Sequence, residues 1–144
     1  MRLGSISPET DVDTGLHQAA ASGDLITAKA LLAQGSSLNA IDICGRTPLH
    51  FAAANNQLHM IEFFVSSGAD INGQADGDGW QDHAPLGYAI ESCSIETVRL
   101  LLDLGADPNC CGWMGNTAID IAKGRVDAEG KIILRLLQEK STAT

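Results

Sequence analysis

The stretch Thr47-Pro48-Leu49-His50-Phe51-Ala52-Ala53 constrains this chain more than any other, because its pieces recur in register. Thr14-Gly15-Leu16-His17 stands 33 residues earlier, and Ala84-Pro85-Leu86-Gly87 is itself followed 33 residues on by Thr117-Ala118-Ile119-Asp120. Each copy carries the same signals in the same order. Thr47 is a good helix N-cap, since its hydroxyl can accept from an orphan amide of the first turn, and Pro48 suits the next position. Leu49, Ala52 and Ala53 then fall on one helical face, where small alanines let a second helix approach closely. A second stripe at i, i+3, i+4 follows in every copy: Ala28, Leu31, Leu32; Ile61, Phe64, Val65; Val98, Leu101, Leu102; Ile133, Leu136, Leu137. Gly35, Gly68 and Gly105 stand where that second helix must end in a left-handed residue, and Asn39, Asn72 and Asn109 follow in the closing turn. The repeat therefore predicts stacked helical hairpins with the apolar stripes as core.

Period and motif together resemble the ankyrin-repeat family, whose signature is a Thr-Pro-Leu-His-x-Ala core. The match is closest from Asp42 to Ala53 and at Gly68-Ala69-Asp70-Ile71-Asn72. The resemblance implies an all-α solenoid of stacked helix-turn-helix units joined by projecting hairpin-like turns. We place an N-terminal extension at 1–8, the repeat domain at 9–140 and a tail at 141–144. Within the domain, repeats run about 9–41, 42–74, 79–111 and 112–140. It also implies that His17 and His50, at the repeat's own histidine position, make a structural hydrogen bond near the helix start.

The departures from the pattern are informative. From Thr47 to Ala84 the step is 37, so about four extra residues sit near 73–83, in a loop expected to project. Repeat 4 has a longer turn between its helices and lacks the proline and the histidine, as suits the end of a stack. Repeat 3 has Gly87 for the histidine and Cys93 where repeat 1 has Gly23, so its first helix is expected to end differently. Met1 and the atypical end repeats lead us to expect a complete stack.

At 144 residues the chain has room for one domain, and its 44% hydrophobic but 4% aromatic composition suits thin Ala/Leu-rich layers. No run is apolar and long enough for a spanning helix, and the start does not resemble an export signal, so a cytoplasmic location is expected. Net charge is −9, with 15 acidic and 4 basic side chains in residues 1–120. That acidity argues against nucleic acid and favours a protein partner with a basic face, although it can equally serve solubility alone. A monomer is expected.

Chemistry is hard to find. No nucleophile, base and orienting group stand at triad or metal spacing, and a single-layer stack converges side chains poorly, so no catalytic, cofactor or metal residue is assigned. Two features support an alternative, a small metal- or redox-responsive protein. The acidic loop Asp76 to Asp82 weakly resembles an oxygen-ligand calcium loop, but Trp80 stands at the central ligand position and Gly87 where the bidentate Glu belongs. Cys110-Cys111 are adjacent and make a poor disulfide, while Cys44 and Cys93 complete no zinc spacing, so reduced thiols are the default.

The leading expectation is a non-catalytic protein-binding module that holds a macromolecular partner as an adaptor, a scaffold or an inhibitor. Trp80 and Trp113 stand four residues before Ala84 and Thr117, at equivalent turn tips. They form either a recognition patch or a cover over the preceding hairpins. The family resemblance implies a concave binding surface made by the tips and the exposed side of the first helices. Register places there Ile43 and Arg46, then Trp80, Gln81 and His83, then Trp113, Met114 and Asn116 on the tips. Asn55, Tyr88 and Glu91 lie on the helices, beside Ser22, Asp24, Gln57 and Ser92.

Overall fold

The computed structural model of the chain describes residues 8–40, 46–72, 84–92, 94–109 and 117–142. Among these residues the regular structure is eight helices, taken in pairs: α1 (Pro8–Ser22) with α2 (Leu25–Ala33), α3 (Pro48–Ala54) with α4 (Leu58–Ser66), α5 (Pro85–Glu91) with α6 (Ile95–Asp103), and α7 (Ala118–Lys123) with α8 (Ala128–Thr142). The first helices stack in one row, α1 on α3, α3 on α5 and α5 on α7. Behind them α4 meets α6, and α6 meets α8. The result is the all-α repeat stack that the spacing predicts.

The core follows the columns of the repeat. Leu16, Leu49 and Leu86 are almost wholly buried at one position, and Ala28, Ile61, Val98 and Ile133 at another. At a third, Phe64 and Leu101 of the inner repeats are 0% exposed, whereas Leu31 and Leu136 at the two ends are only partly buried against the core. Leu32 and Val65 are likewise partly covered, while Leu102 and Leu137 are buried. At that third position, burial tracks how many neighbours a repeat has.

The first three pairs of helices close by backbone geometry that only certain residues tolerate. Gly35, Gly68 and Gly105 all have φ of +107°, and the amides on either side complete a Schellman pattern, such as Gly68 N–H to the Val65 carbonyl (3.1 Å) and Ala69 N–H to the Phe64 carbonyl (2.9 Å). In the tighter turn between first and second helices, Gly23 (φ +79°) and Asn56 (φ +57°) occupy equivalent left-handed positions. The corresponding Cys93 lies outside the described residues. Contrary to the expectation from that substitution, α5 ends in the same place as α3, after seven residues. Its end is set by bonds that need no glycine: Ser92 N–H reaches the Tyr88 carbonyl (3.0 Å), and the Ser92 hydroxyl reaches that of Ala89 (3.0 Å).

Neighbouring repeats are also joined by polar bonds. The Asn39 side-chain carbonyl accepts the Asp70 amide (3.2 Å), and that of Asn72 accepts the Asp107 amide (2.8 Å). Within each turn Asp70 and Asp107 in turn accept the amides of Asn72 (3.1 Å) and Asn109 (2.8 Å). Asn109 then donates to the Ser141 hydroxyl of α8 (3.1 Å), so the series reaches the last helix. On the opposite edge, Asn56 Oδ1 accepts from the hydroxyls of Ser92 and Thr97, both at 3.2 Å.

Two terminal features differ from the repeat pattern. Helix α1 begins at Pro8, six residues ahead of Thr14, rather than at the threonine that marks the register. At the other end the longer α7–α8 turn is held by Arg125. Its guanidinium pairs with Asp127 and donates to the Glu91 carbonyl of repeat 3 (3.4 Å), and Asp127 accepts the Gly130 amide (2.8 Å).

Candidate partner-binding surface

The first helices leave one column of residues half-open to solvent, immediately after the histidine position. Along the stack it reads Gln18, Phe51, Tyr88 and Ile121; Gln18 is exposed and the other three are partly buried. The histidines explain how the aromatic members are held. The His17 ring meets the Phe51 ring edge-on at 5.2 Å, and the His50 ring meets the Tyr88 ring in the same way at 5.4 Å. Each buried histidine therefore supports the surface aromatic of the following repeat. His17 Nε2 also lies 2.7 Å from the Arg46 carbonyl, fixing the chain as it enters repeat 2.

His50 has a second task within its own repeat. Its Nδ1 accepts the Thr47 amide (3.0 Å) with the Thr47 hydroxyl 2.8 Å away, so the other ring nitrogen carries the proton. In repeat 4 Asp120 takes over this local role. It accepts the Thr117 amide (3.0 Å), and Thr117 Oγ1 accepts the Asp120 amide (3.2 Å), a reciprocal capping box. These bonds from Thr117 hold the Asp120 carboxyl below the usual carboxylate range.

The expected contact residues fall into three groups. Arg46 lies at the edge of the column with its guanidinium carbon 4.7 Å from the Phe51 ring centre, a cation–π contact. Tyr88 belongs to the column itself, and Glu91 and Asn55 are exposed one turn along their helices. Asn55 turns back to donate to the Phe51 carbonyl (2.8 Å). Ile43, Trp80, Gln81, His83, Trp113, Met114 and Asn116 lie outside the described residues, as do Cys44, Cys110, Cys111 and the acidic loop.

Several neighbours serve the scaffold. Gln57 donates from its side-chain amide to the Ala21 carbonyl of repeat 1 (3.0 Å), and its Oε1 packs where a Cβ at Gly23 would come within 2.5 Å. Asp24 caps α2 by accepting from the Thr27 hydroxyl (2.6 Å) and amide (3.1 Å), bonds that lower its pKa. Ser92 is tied to Ala89 and Asn56. Conversely, sequence reasoning passed over Phe51 and Ile121 as contact residues, although both share the register of Tyr88. Among the described residues no three His, Cys, Asp or Glu side chains gather as metal ligands, and no helix is long and apolar enough to cross a membrane.

Known proteins agree with this geometry. The family model for ankyrin repeats in three copies matches residues 16–111. This chain belongs to the ankyrin-repeat family. Among its relatives are the B-cell lymphoma 3 protein homolog of Mus musculus, 31% identical over 113 residues, and ankyrin repeat and SOCS box protein 6 of Mus musculus, 37% identical over 110 residues. Those alignments cover 78% and 75% of this chain but only 24% and 26% of the relatives. A putative ankyrin repeat protein of fowlpox virus is 35% identical over 80 residues, 56% of this chain and 11% of that protein. The chain thus spans about a quarter or less of these relatives. Ankyrin repeats generally mediate protein–protein interaction and are typically non-catalytic, and residues 16–111 consist of such repeats.

Proposed function

We propose that the chain is a non-catalytic recognition module that holds one protein partner on the face formed by the first helices and the adjoining hairpin tips. The observation that carries this reading is the column of Phe51, Tyr88 and Ile121, three large apolar side chains at one repeat position, all left partly open. Half-exposed aromatics held rigidly from behind lose little freedom on binding and rank high among interface hot spots. Arg46, Asn55 and Glu91 border the column. In our reading Ile43, Trp80, Gln81, His83, Trp113, Met114 and Asn116 extend the face along the tips, and the protein acts as a cytoplasmic monomer. The repeat boundaries given above belong to the same reading. A relative named for both ankyrin repeats and a SOCS box, of which this chain matches 26%, supports the adaptor form of this role.

The test is affinity capture from cell extract followed by mass spectrometry, comparing the unaltered chain with a Phe51→Ala, Tyr88→Ala double variant whose helical signal is intact. A partner retained by the first and lost from the second is the expected result. Identical captured sets would place the binding face elsewhere.

A further inference from the structure

Helix α2 is apolar on every side. Seven of its nine residues are apolar, and its one charged group, the Lys29 ammonium, is turned toward repeat 2, 5.7 Å from the centre of the Phe63 ring. A helix that is hydrophobic all round is ordinarily covered all round. Yet Ala28 is its one buried residue, while Ile26, Thr27, Ala30 and Ala33 are exposed.

The inner repeats show what this side of a second helix receives. The counterparts of Thr27 are Met60 and Thr97, 1% and 0% exposed, and those of Ala30 are Phe63 and Leu100, partly buried against the core. The preceding repeat supplies the cover: Phe63 lies under Lys29, and the Thr97 hydroxyl donates to Asn56 Oδ1 (3.2 Å). No repeat precedes repeat 1 among the described residues, so α2 presents this side to solvent. At the other end of the stack the outward position is charged, since Lys123 stands exposed where Ala53 and Ile90 are buried. A polar outer face of that kind keeps the end of a stack soluble, and α2 lacks one.

Ile26 decides between possible covers. It is 83% exposed, and its counterparts His59 and Glu96 are exposed too but polar, because a preceding repeat does not reach that position. A further repeat added in register would therefore leave Ile26 in water. Burying it takes an occupant laid further across the helix, along Ile26, Ala30 and Ala33, which share one face at i, i+4 and i+7. The two alanines leave a shallow groove beside the isoleucine, and the side-chain ridge of another helix fits a groove of that kind. Second helices already lie against one another in this stack, α4 with α6 and α6 with α8.

We infer that the outer face of α2 docks an amphipathic helix of a protein partner, one with an uncharged apolar stripe at i, i+3 or i+4, and i+7. This surface is separate from the Phe51 and Tyr88 column, and neither reading depends on the other.

The test places a photo-crosslinking amino acid at position 26 of the full chain in cell extract and identifies the joined peptide by mass spectrometry. That segment is then synthesised and titrated by fluorescence anisotropy against the unaltered chain, Ile26→Glu, Ala30→Arg and the Phe51→Ala, Tyr88→Ala double variant. The expected result is a segment of another protein with apolar residues at helical spacing, weakened about tenfold or more by Ile26→Glu and by Ala30→Arg and unchanged by the double variant. Both single variants alter exposed side chains, and an unchanged urea midpoint checks that each keeps the fold. A cross-link to residues 1–7 or to a second copy of the chain would overturn the partner helix, as would a segment without helical spacing or no cross-link at all. A segment weakened by the double variant and not by Ile26→Glu would return the contact to the column and overturn α2 as a docking surface.

Discussion

Repeat 2 and repeat 4 are built from the same local instructions and differ in what surrounds them. Both open with a threonine N-cap whose amide is accepted by the third helical residue, His50 in one and Asp120 in the other. Both bury an isoleucine in the second helix, Ile61 and Ile133. Repeat 2, covered on both sides, places Ala53 and Phe64 at full burial, whereas repeat 4 has exposed Lys123 and half-buried Leu136 at the same positions. Signals for making a repeat are therefore separable from signals for stacking one.

The largest effect should come from moving an end-of-stack residue inward. Ala53→Lys would force an unpaired ammonium into the contact between α3 and α5, a burial costing several kcal/mol. Chemical denaturation should show loss of the cooperative transition, while the counterpart Lys123→Ala should stay within about 0.5 kcal/mol of the unaltered chain. A similar cost in both variants would dissolve the distinction.

Cavities should rank next. Phe64→Ala empties a fully enclosed site and should cost about 3–5 kcal/mol by urea titration. Leu136→Ala removes a side chain that solvent already touches, so about 1–2 kcal/mol is expected. Equal losses would mean that the end repeat is as tightly enclosed as the inner one.

A smaller effect concerns the shared signal. Thr117→Ala deletes one half of the capping box of α7 and should cost about 1 kcal/mol, read as a lowered midpoint in thermal unfolding.

The smallest is the pH response of Asp120. Its carboxyl titrates below its unfolded value of about 3.9, so the folded chain holds fewer protons on it than the unfolded chain does. Its contribution is present above that value and lost as pH falls through the lower, folded one. The difference in melting temperature between the unaltered chain and Asp120→Ala should accordingly be constant near neutrality and shrink below pH ~4. A gap that persists in acid would assign the effect to packing.

Much of the architecture was legible because a repeat states its own register. The glycines with left-handed φ, the threonine caps and the stripes of the second helices are local requirements, and each is written within one copy. The contacts of His17 with Phe51 and of His50 with Tyr88 cross from one repeat to the next, and no spacing inside a single copy reveals them. Judging Tyr88 by its residue type also hid its column, since Phe51 and Ile121 look like ordinary core residues when taken singly. Gln57 and Asp24 mislead in the opposite direction. Polar side chains at a turn look like contact residues until their bonds to Ala21 and Thr27 are seen.

The asparagine series along the turns has a consequence for how such a chain can change. Asn39 and Asp70 are 31 residues apart and Asn72 and Asp107 are 35 apart, yet the two pairs make the same bond. Four additional residues in the second interval leave the alignment of neighbouring units untouched. The joint that keeps the units in step thus spans intervals of two different lengths, so the register of the stack is set by the turn asparagines and not by the number of residues between them.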